Sequence, residues 1–70
     1  MLLVESIKRY AGRLKTDKAL LSYLDTEDLV AKYDPGVTVD DVTDEWLSGF
    51  KGYAGGRHVR NVRKVLNQRM

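Results

Sequence analysis

The residues of this chain best suited to chemistry are the cations near its C-terminus, within a helical pattern from about residue 57 to 68. On a helical wheel the polar side chains form one contiguous arc: Arg57, Arg60, Arg63, Lys64 and Asn67. The apolar side chains form a separate arc: Val59, Val62, Val65 and Leu66. Cations on one helical face repel one another unless an anion lies nearby. The polar arc therefore predicts contact with phosphates or guanine edges of double-stranded DNA.

The charge pattern also permits a structural interpretation of this arc. Residues 25 to 45 hold eight acids and one base, a net charge of −7, whereas the flanking segments together carry +9. The cationic helix can therefore face the acidic middle of the same chain, with its arginine stems covering apolar surface. Composition and charge leave both interpretations open.

A second group of polar residues precedes the second predicted helix. Lys15, Thr16 and Lys18 surround a helix break, and a helix N-terminus favours anions, so they form a candidate second phosphate contact. Asn61 and Asn67 are candidates for base-edge contacts on the last helix.

Catalytic patterns are not found in the sequence. His58, the single histidine, has no second histidine or paired carboxylate at metal-ligand spacing, and we interpret it as a boundary residue of the last helix. The acid pairs Asp40–Asp41 and Asp44–Glu45 lie at helix starts, where they complement the helix dipole. The sequence also contains no nucleophile–base pair and no glycine-rich phosphate loop. We therefore expect a non-catalytic domain without cofactor or metal.

Length and composition limit the chain to a small domain. Seventy residues predict one helical domain over 1–70, and the lack of cysteine excludes disulfides and thiolate metal sites. The longest apolar runs are far shorter than a membrane span or a signal peptide requires. We expect a cytoplasmic protein with no membrane partner.

Helical periodicity predicts an all-α fold, a small four-helix bundle with helices at about 2–14, 17–33, 43–53 and 57–68. Thr16 or Asp17 is a candidate N-cap of the second helix, and Asp25–Thr26 is a candidate break within it. Thr43 is a candidate N-cap of the third helix. The third helix presents a wide aromatic face, with Trp46 and Phe50 at its middle, and is expected to be the centre of the core.

Two segments resemble a known family. The segment Tyr33–Tyr53 reads YDPGVTVDDVTDEWLSGFKGY and is similar to the middle of the SAM-like core-binding domain of phage-type integrases, the tyrosine recombinases, especially those of Bacteroides mobile elements. The tail Val59–Asn67, VRNVRKVLN, resembles the last helix of that domain. Leu3 to Tyr23 fits only in outline.

The resemblance implies a four-helix SAM-like unit that grips recombination-site DNA during DNA integration and recombination. It places Arg57, Arg60, Arg63 and Lys64 on the DNA-facing helix, and Lys15 to Lys18 at the start of another. The family joins this domain to a separate catalytic domain in cis, and neighbouring recombinase protomers are potential partners. The chain would then be a non-catalytic fragment of a site-specific recombinase.

Two features depart from the family pattern. The link Ala54–Arg57 is shorter than usual, and the catalytic His-x-x-Arg is missing, because position 61 is asparagine. The glycine turn and following arginines, FKGYAGGRHVRNVR, also resemble the helical lid of AAA+ ATPases, in which Arg57 or Arg60 would sense nucleotide phosphates. A helical protein-interaction module is the third alternative. DNA affinity that falls steeply with salt would distinguish the first hypothesis from the other two.

Overall fold

The computed structural model describes residues 1–68 and confirms a small all-α bundle of four helices. The helices are α1 (Leu3–Ala11), α2 (Asp17–Tyr33), α3 (Asp44–Ala54) and α4 (Gly56–Asn67), and a single 3-10 turn, Val39–Asp41, lies between α2 and α3. Within the described residues, extended pairing is limited to one antiparallel bridge between Leu2 and Thr38. Its backbone bonds, including Leu3 N to Val37 O at 2.9 Å, hold the N-terminus against the α2–α3 connection.

Threonine hydroxyls cap the N-termini of two helices, because they accept hydrogen bonds from backbone amides that have no partner within the helix. Thr16 Oγ1 accepts a hydrogen bond from Ala19 N at 3.3 Å, and Thr43 Oγ1 accepts one from Trp46 N at 3.1 Å. These contacts confirm the N-cap predicted at Thr43 and identify Thr16, one of the two candidates at the start of α2, as the N-cap of that helix. The end of α2 at Tyr33 also agrees with prediction, since Pro35 disfavours helical backbone just before it.

The structure corrects the predicted end of α1 and shows that the candidate break in α2 does not occur. Helix α1 ends at Ala11 instead of residue 14, because Gly12 is a poor helix former and the chain continues as a tighter turn with Leu14 N bonded to Ala11 O at 3.1 Å. Helix α2 is unbroken at Asp25–Thr26. The Thr26 hydroxyl donates to the carbonyl of Ser22 at 3.0 Å, so it is satisfied without interrupting the helix.

The core draws on every helix, and α3 is not its centre. The largest fully buried apolar side chains are Phe50 of α3, Leu3 and Ile7 of α1, Val30 of α2 and Val62 of α4. From the aromatic face of α3, Phe50 and Leu47 are buried, whereas Trp46 is half-buried and Tyr53 is 51% exposed. The expectation that the aromatic face of α3 forms the centre of the core therefore holds for Phe50 and not for Trp46. Its indole Nε1 instead donates to Asp34 Oδ2 at 2.9 Å, at the edge of the domain.

One glycine joins α3 directly to α4. Gly55 has φ of 100° and ψ of 162°, a backbone conformation that residues with a Cβ rarely adopt. Its N–H donates to Lys51 O at 2.9 Å and closes α3, and Gly56 already belongs to α4. This sharp link fixes the direction in which α4 leaves α3.

Candidate nucleic-acid interface

Helix α4 divides into a buried face and an exposed polar face, as the sequence predicted. Val59, Val62 and Val65 are buried and Leu66 is half-buried against the core. Every residue of the predicted polar arc is exposed: Arg57, Arg60, Arg63, Lys64 and Asn67. The structure therefore brings five of the predicted contact residues together on one continuous surface, which we call the α4 face.

A buried polar cluster fixes α4 against α2. Thr26 of α2 is fully buried, and His58 and Asn61 of α4 are 6% and 8% exposed. Thr26 Oγ1 lies 2.7 Å from His58 Nδ1 and accepts from Asn61 Nδ2 at 2.9 Å. Asn61 Nδ2 also donates to Ser22 Oγ at 3.1 Å. Buried polar groups are costly unless they are bonded, so these contacts favour one rotation of α4 and thereby orient the α4 face outward.

The bonding of this cluster determines the tautomer of His58. A guanidinium can only donate, so His58 Nε2 accepts from Arg57 Nη2, at 3.3 Å, and carries no proton. The proton of the neutral ring is then on Nδ1 and is donated to Thr26, whose own hydroxyl proton goes to Ser22 O. Burial and the charge of Arg57 lower the pKa of His58, while Asp25 acts in the opposite direction.

The cluster corrects two expectations from the sequence. Asn61 is not available for a base edge, because it is buried and its amide nitrogen is bonded within the domain. His58 is a buried, hydrogen-bonded residue and not a boundary residue. On a helical wheel both lie beside the valine face of α4, three positions apart, but their partners on α2 follow only from the packing of the two helices. Across residues 1–68 no group of acidic, histidine or cysteine side chains could hold a metal ion.

Internal ion pairs neutralise little of the α4 face. Arg57 Nη2 lies 3.8 Å from Asp25 Oδ2, and Arg63 Nη2 lies 4.0 Å from Asp44 Oδ1. The side chains of both pairs are more than half exposed, so each pair contributes only about 0–1 kcal/mol to the stability of the domain. Within the described part of the chain, Arg60 and Lys64 form no ion pair. The acidic middle therefore complements part of this face and leaves the rest without a carboxylate partner.

Two grooves border the α4 face. The groove between α3 and α4 is lined by Lys51, Arg60 and Arg63, together with Ser48 and Asp44. The groove between α2 and α4 is lined by Lys18 and Arg57, together with Leu21, Ser22 and Asp25. Lys51 was not among the predicted contact residues, since its distance from Arg60 in the sequence gives no sign that the two share a groove.

The predicted second phosphate contact is only partly assembled. Lys18 lies beside Arg57 in the α2–α4 groove, whereas Lys15 and Thr16 lie outside it. All three residues are exposed, and the Thr16 oxygen already accepts from the backbone of its own helix. Lys18 is therefore the member of this group that the fold connects to the α4 face.

Comparison of the chain with protein families, with curated proteins and with solved structures found no match. Over residues 1–68, none of the helices combines the length and the apolar character that crossing a bilayer requires.

Proposed function

We propose that this chain is a double-stranded-DNA-binding module that uses the α4 face as its contact surface. The observation that carries the proposal is the exposed row of cations on α4, of which Arg60 and Lys64 have no carboxylate partner within the described residues. Clustered arginine and lysine side chains on one face are the electrostatic signature of phosphate-backbone binding.

The dimensions of α4 suit this role. Twelve residues give a helix about 18 Å long, and the major groove of B-DNA is wide enough to admit an α-helix. Arginine binds guanine O6 and N7 or phosphate oxygens through paired N–H groups, whereas lysine contacts phosphate as a point charge. Asn67, at the end of the same face, is exposed and can face a base edge.

The resemblance to tyrosine recombinases suggests a specific biological role for this DNA binding. In this role the chain is the core-binding domain of an integrase: it binds recombination-site DNA, while a separate domain in cis carries out strand exchange. The position of His58 supports a structural role, because its ring is buried and both ring nitrogens are bonded within the domain.

A helical lid of an AAA+ ATPase is the second candidate, and the direct link through Gly55 favours it. The contacts of Arg57 favour it less, because this guanidinium lies next to Asp25 and His58 instead of projecting freely. A lid predicts weak, Mg²⁺-linked effects of nucleotide that require an ATPase core. DNA binding by the isolated chain would favour the first candidate.

The test is a fluorescence-anisotropy titration of a labelled duplex at about 50 and 200 mM salt. If four cations each neutralise a phosphate, affinity falls roughly 150-fold between these salt concentrations, from a slope of about −0.9 per contact. The variant Arg60→Ala/Arg63→Ala/Lys64→Ala then retains one contact, and its affinity decreases only about fourfold over the same change in salt concentration. A folded wild-type protein that does not bind at the lower salt concentration would overturn the proposal.

A matched control separates the α4 face from overall charge. It removes the same number of cations from α1 and from the C-terminal end of α2: Lys8→Ala, Arg9→Ala and Lys32→Ala. These side chains are exposed and lie outside the α4 face, so we expect the control to keep most of the wild-type affinity and its salt dependence. Equal losses in both triple variants would show that DNA responds to net charge and not to this face.

A further inference from the structure

Lys51 reaches from α3 into the same groove as two cations of α4. Its Cε lies 3.8 Å from the point that a Cβ at Gly56 would occupy, so the lysine side chain extends toward the first turn of α4. Arg60 and Arg63 line the groove on the α4 side, and Ser48 adds a hydroxyl. Three positive charges from two helices therefore border one cleft.

The α3–α4 groove is more cationic than the α2–α4 groove. Its single carboxylate, Asp44, has a side chain that is 97% exposed and approaches only Arg63, at 4.0 Å. The α2–α4 groove is lined by two cations, Lys18 and Arg57, and one carboxylate, Asp25. Arg57 lies 3.8 Å from Asp25 and is also bonded to His58. The α3–α4 groove therefore keeps a net charge of +2 against +1 for the other, and an anion would relieve more repulsion there.

We propose that a phosphate strand of the bound duplex enters the α3–α4 groove and that Lys51 is one of its contacts. This inference rests on the proposed function and adds to it a site outside α4. The groove follows α4 from Gly56 to Arg63, a rise of about 10 Å. Successive phosphates of one DNA strand are farther apart than their 3.4 Å rise along the helix axis, so about two phosphates can lie along this length.

The experiment compares single-charge variants by the slope of log affinity against log salt concentration. Lys51→Gln should reduce the magnitude of the slope by about 0.9, one phosphate contact. Lys51→Arg keeps the charge and should restore the wild-type slope. Lys32→Gln, the matched control on an exposed lysine outside both grooves, should leave the slope close to its wild-type value.

Asp44→Asn tests the same groove in the opposite direction. It removes the one carboxylate of the groove and frees Arg63, so we expect about threefold tighter DNA binding at 50 mM salt, the scale of an exposed ion pair. Tighter binding is not an expected consequence of misfolding, so this variant remains informative if Lys51→Gln is unstable.

The outcomes separate this inference from the proposed function. If the wild-type protein binds DNA but neither Lys51→Gln nor Asp44→Asn changes the binding, the groove proposal is overturned and the DNA-binding proposal stands. If the wild-type protein does not bind DNA, both are overturned. A reduced slope in Lys51→Gln, with the wild-type slope in Lys51→Arg, would support the groove as the path of the phosphate strand.

Discussion

Replacing Thr26 with valine should destabilise the domain, because three hydrogen bonds meet at its hydroxyl. Valine keeps nearly the same shape at this fully buried position and removes only the polar group. The hydroxyl donates to Ser22 O at 3.0 Å, lies 2.7 Å from His58 Nδ1 and accepts from Asn61 Nδ2 at 2.9 Å. The substitution therefore tests the contact that holds α4 on α2 without creating a large cavity.

The expected cost follows from which groups lose a partner. Ser22 O keeps its helical backbone bond, and Asn61 keeps its bond to Ser22 Oγ at 3.1 Å. The Nδ1–H of His58 loses its partner in a buried site, and one amide hydrogen of Asn61 is also left unpaired. The unpaired His58 Nδ1–H costs about 1–3 kcal/mol, and the one hydrogen bond that Asn61 loses adds about 1 kcal/mol. Thr26→Val should therefore lose about 2–4 kcal/mol in total.

A loss of this size is large for a chain of 70 residues, whose whole stability is expected to be roughly 4–10 kcal/mol. Urea denaturation followed by the fluorescence of Trp46, the single tryptophan, should show a lower midpoint with an unchanged slope. In a thermal scan the midpoint should fall by roughly 8–30 °C.

Thr38→Val is the matched control for this measurement. The Thr38 hydroxyl bonds to Asp41 Oδ2 at 2.8 Å in an exposed position, so its loss should cost less than about 1 kcal/mol. If Thr26→Val proves as stable as the wild-type protein, or no less stable than Thr38→Val, the buried cluster does not hold α4 in place and the reasoning is wrong.

The other predictions concern the titration of the cluster, the core and the α3–α4 link. Because the pKa of His58 is lowered on folding, the native state binds fewer protons than the unfolded state. The free energy of unfolding should therefore decrease as the pH is lowered from about 7 to 5.5. Urea titrations at each pH should show that His58→Gln weakens this dependence. Phe50→Ala should cost about 3–5 kcal/mol and Trp46→Ala clearly less, since Phe50 is fully buried and Trp46 only half; equal costs would contradict this description of the core. Gly55→Ala should cost about 1–3 kcal/mol through backbone strain, whereas Gly52→Ala, inside α3 and equally free of neighbours, should be neutral or stabilising in the same thermal scans.

Local sequence signals predicted much of the fold. Thr43 was identifiable as an N-cap, and Thr16 as one of two candidates, because their hydroxyls precede helical patterns; both accept backbone bonds in the structure. The two faces of α4 followed from periodicity, which depends on the helix itself and not on its neighbours. For the same reason the exposure of Arg60 and Lys64 agreed with prediction.

The features that were not predicted depend on how the helices meet. The aromatic face of α3 is wider than the surface that the core offers it, so Phe50 and Leu47 are buried and Tyr53 remains exposed. Asn61 and Thr26 are 35 residues apart in the chain, and their contact depends on the rotation of α4 against α2. Lys51 joins Arg60 only because Gly55 turns α4 back beside α3.

The most direct test of the α4 face is a residue-resolved map of DNA contact. Backbone amide shifts of the isotopically labelled chain would be recorded by NMR as a short duplex is added at low salt. The proposed function predicts the largest changes along α4 at Arg57, Arg60, Arg63 and Lys64, with smaller changes along α1. Changes centred instead on Tyr33 and Trp46, or no changes in a folded protein, would contradict it.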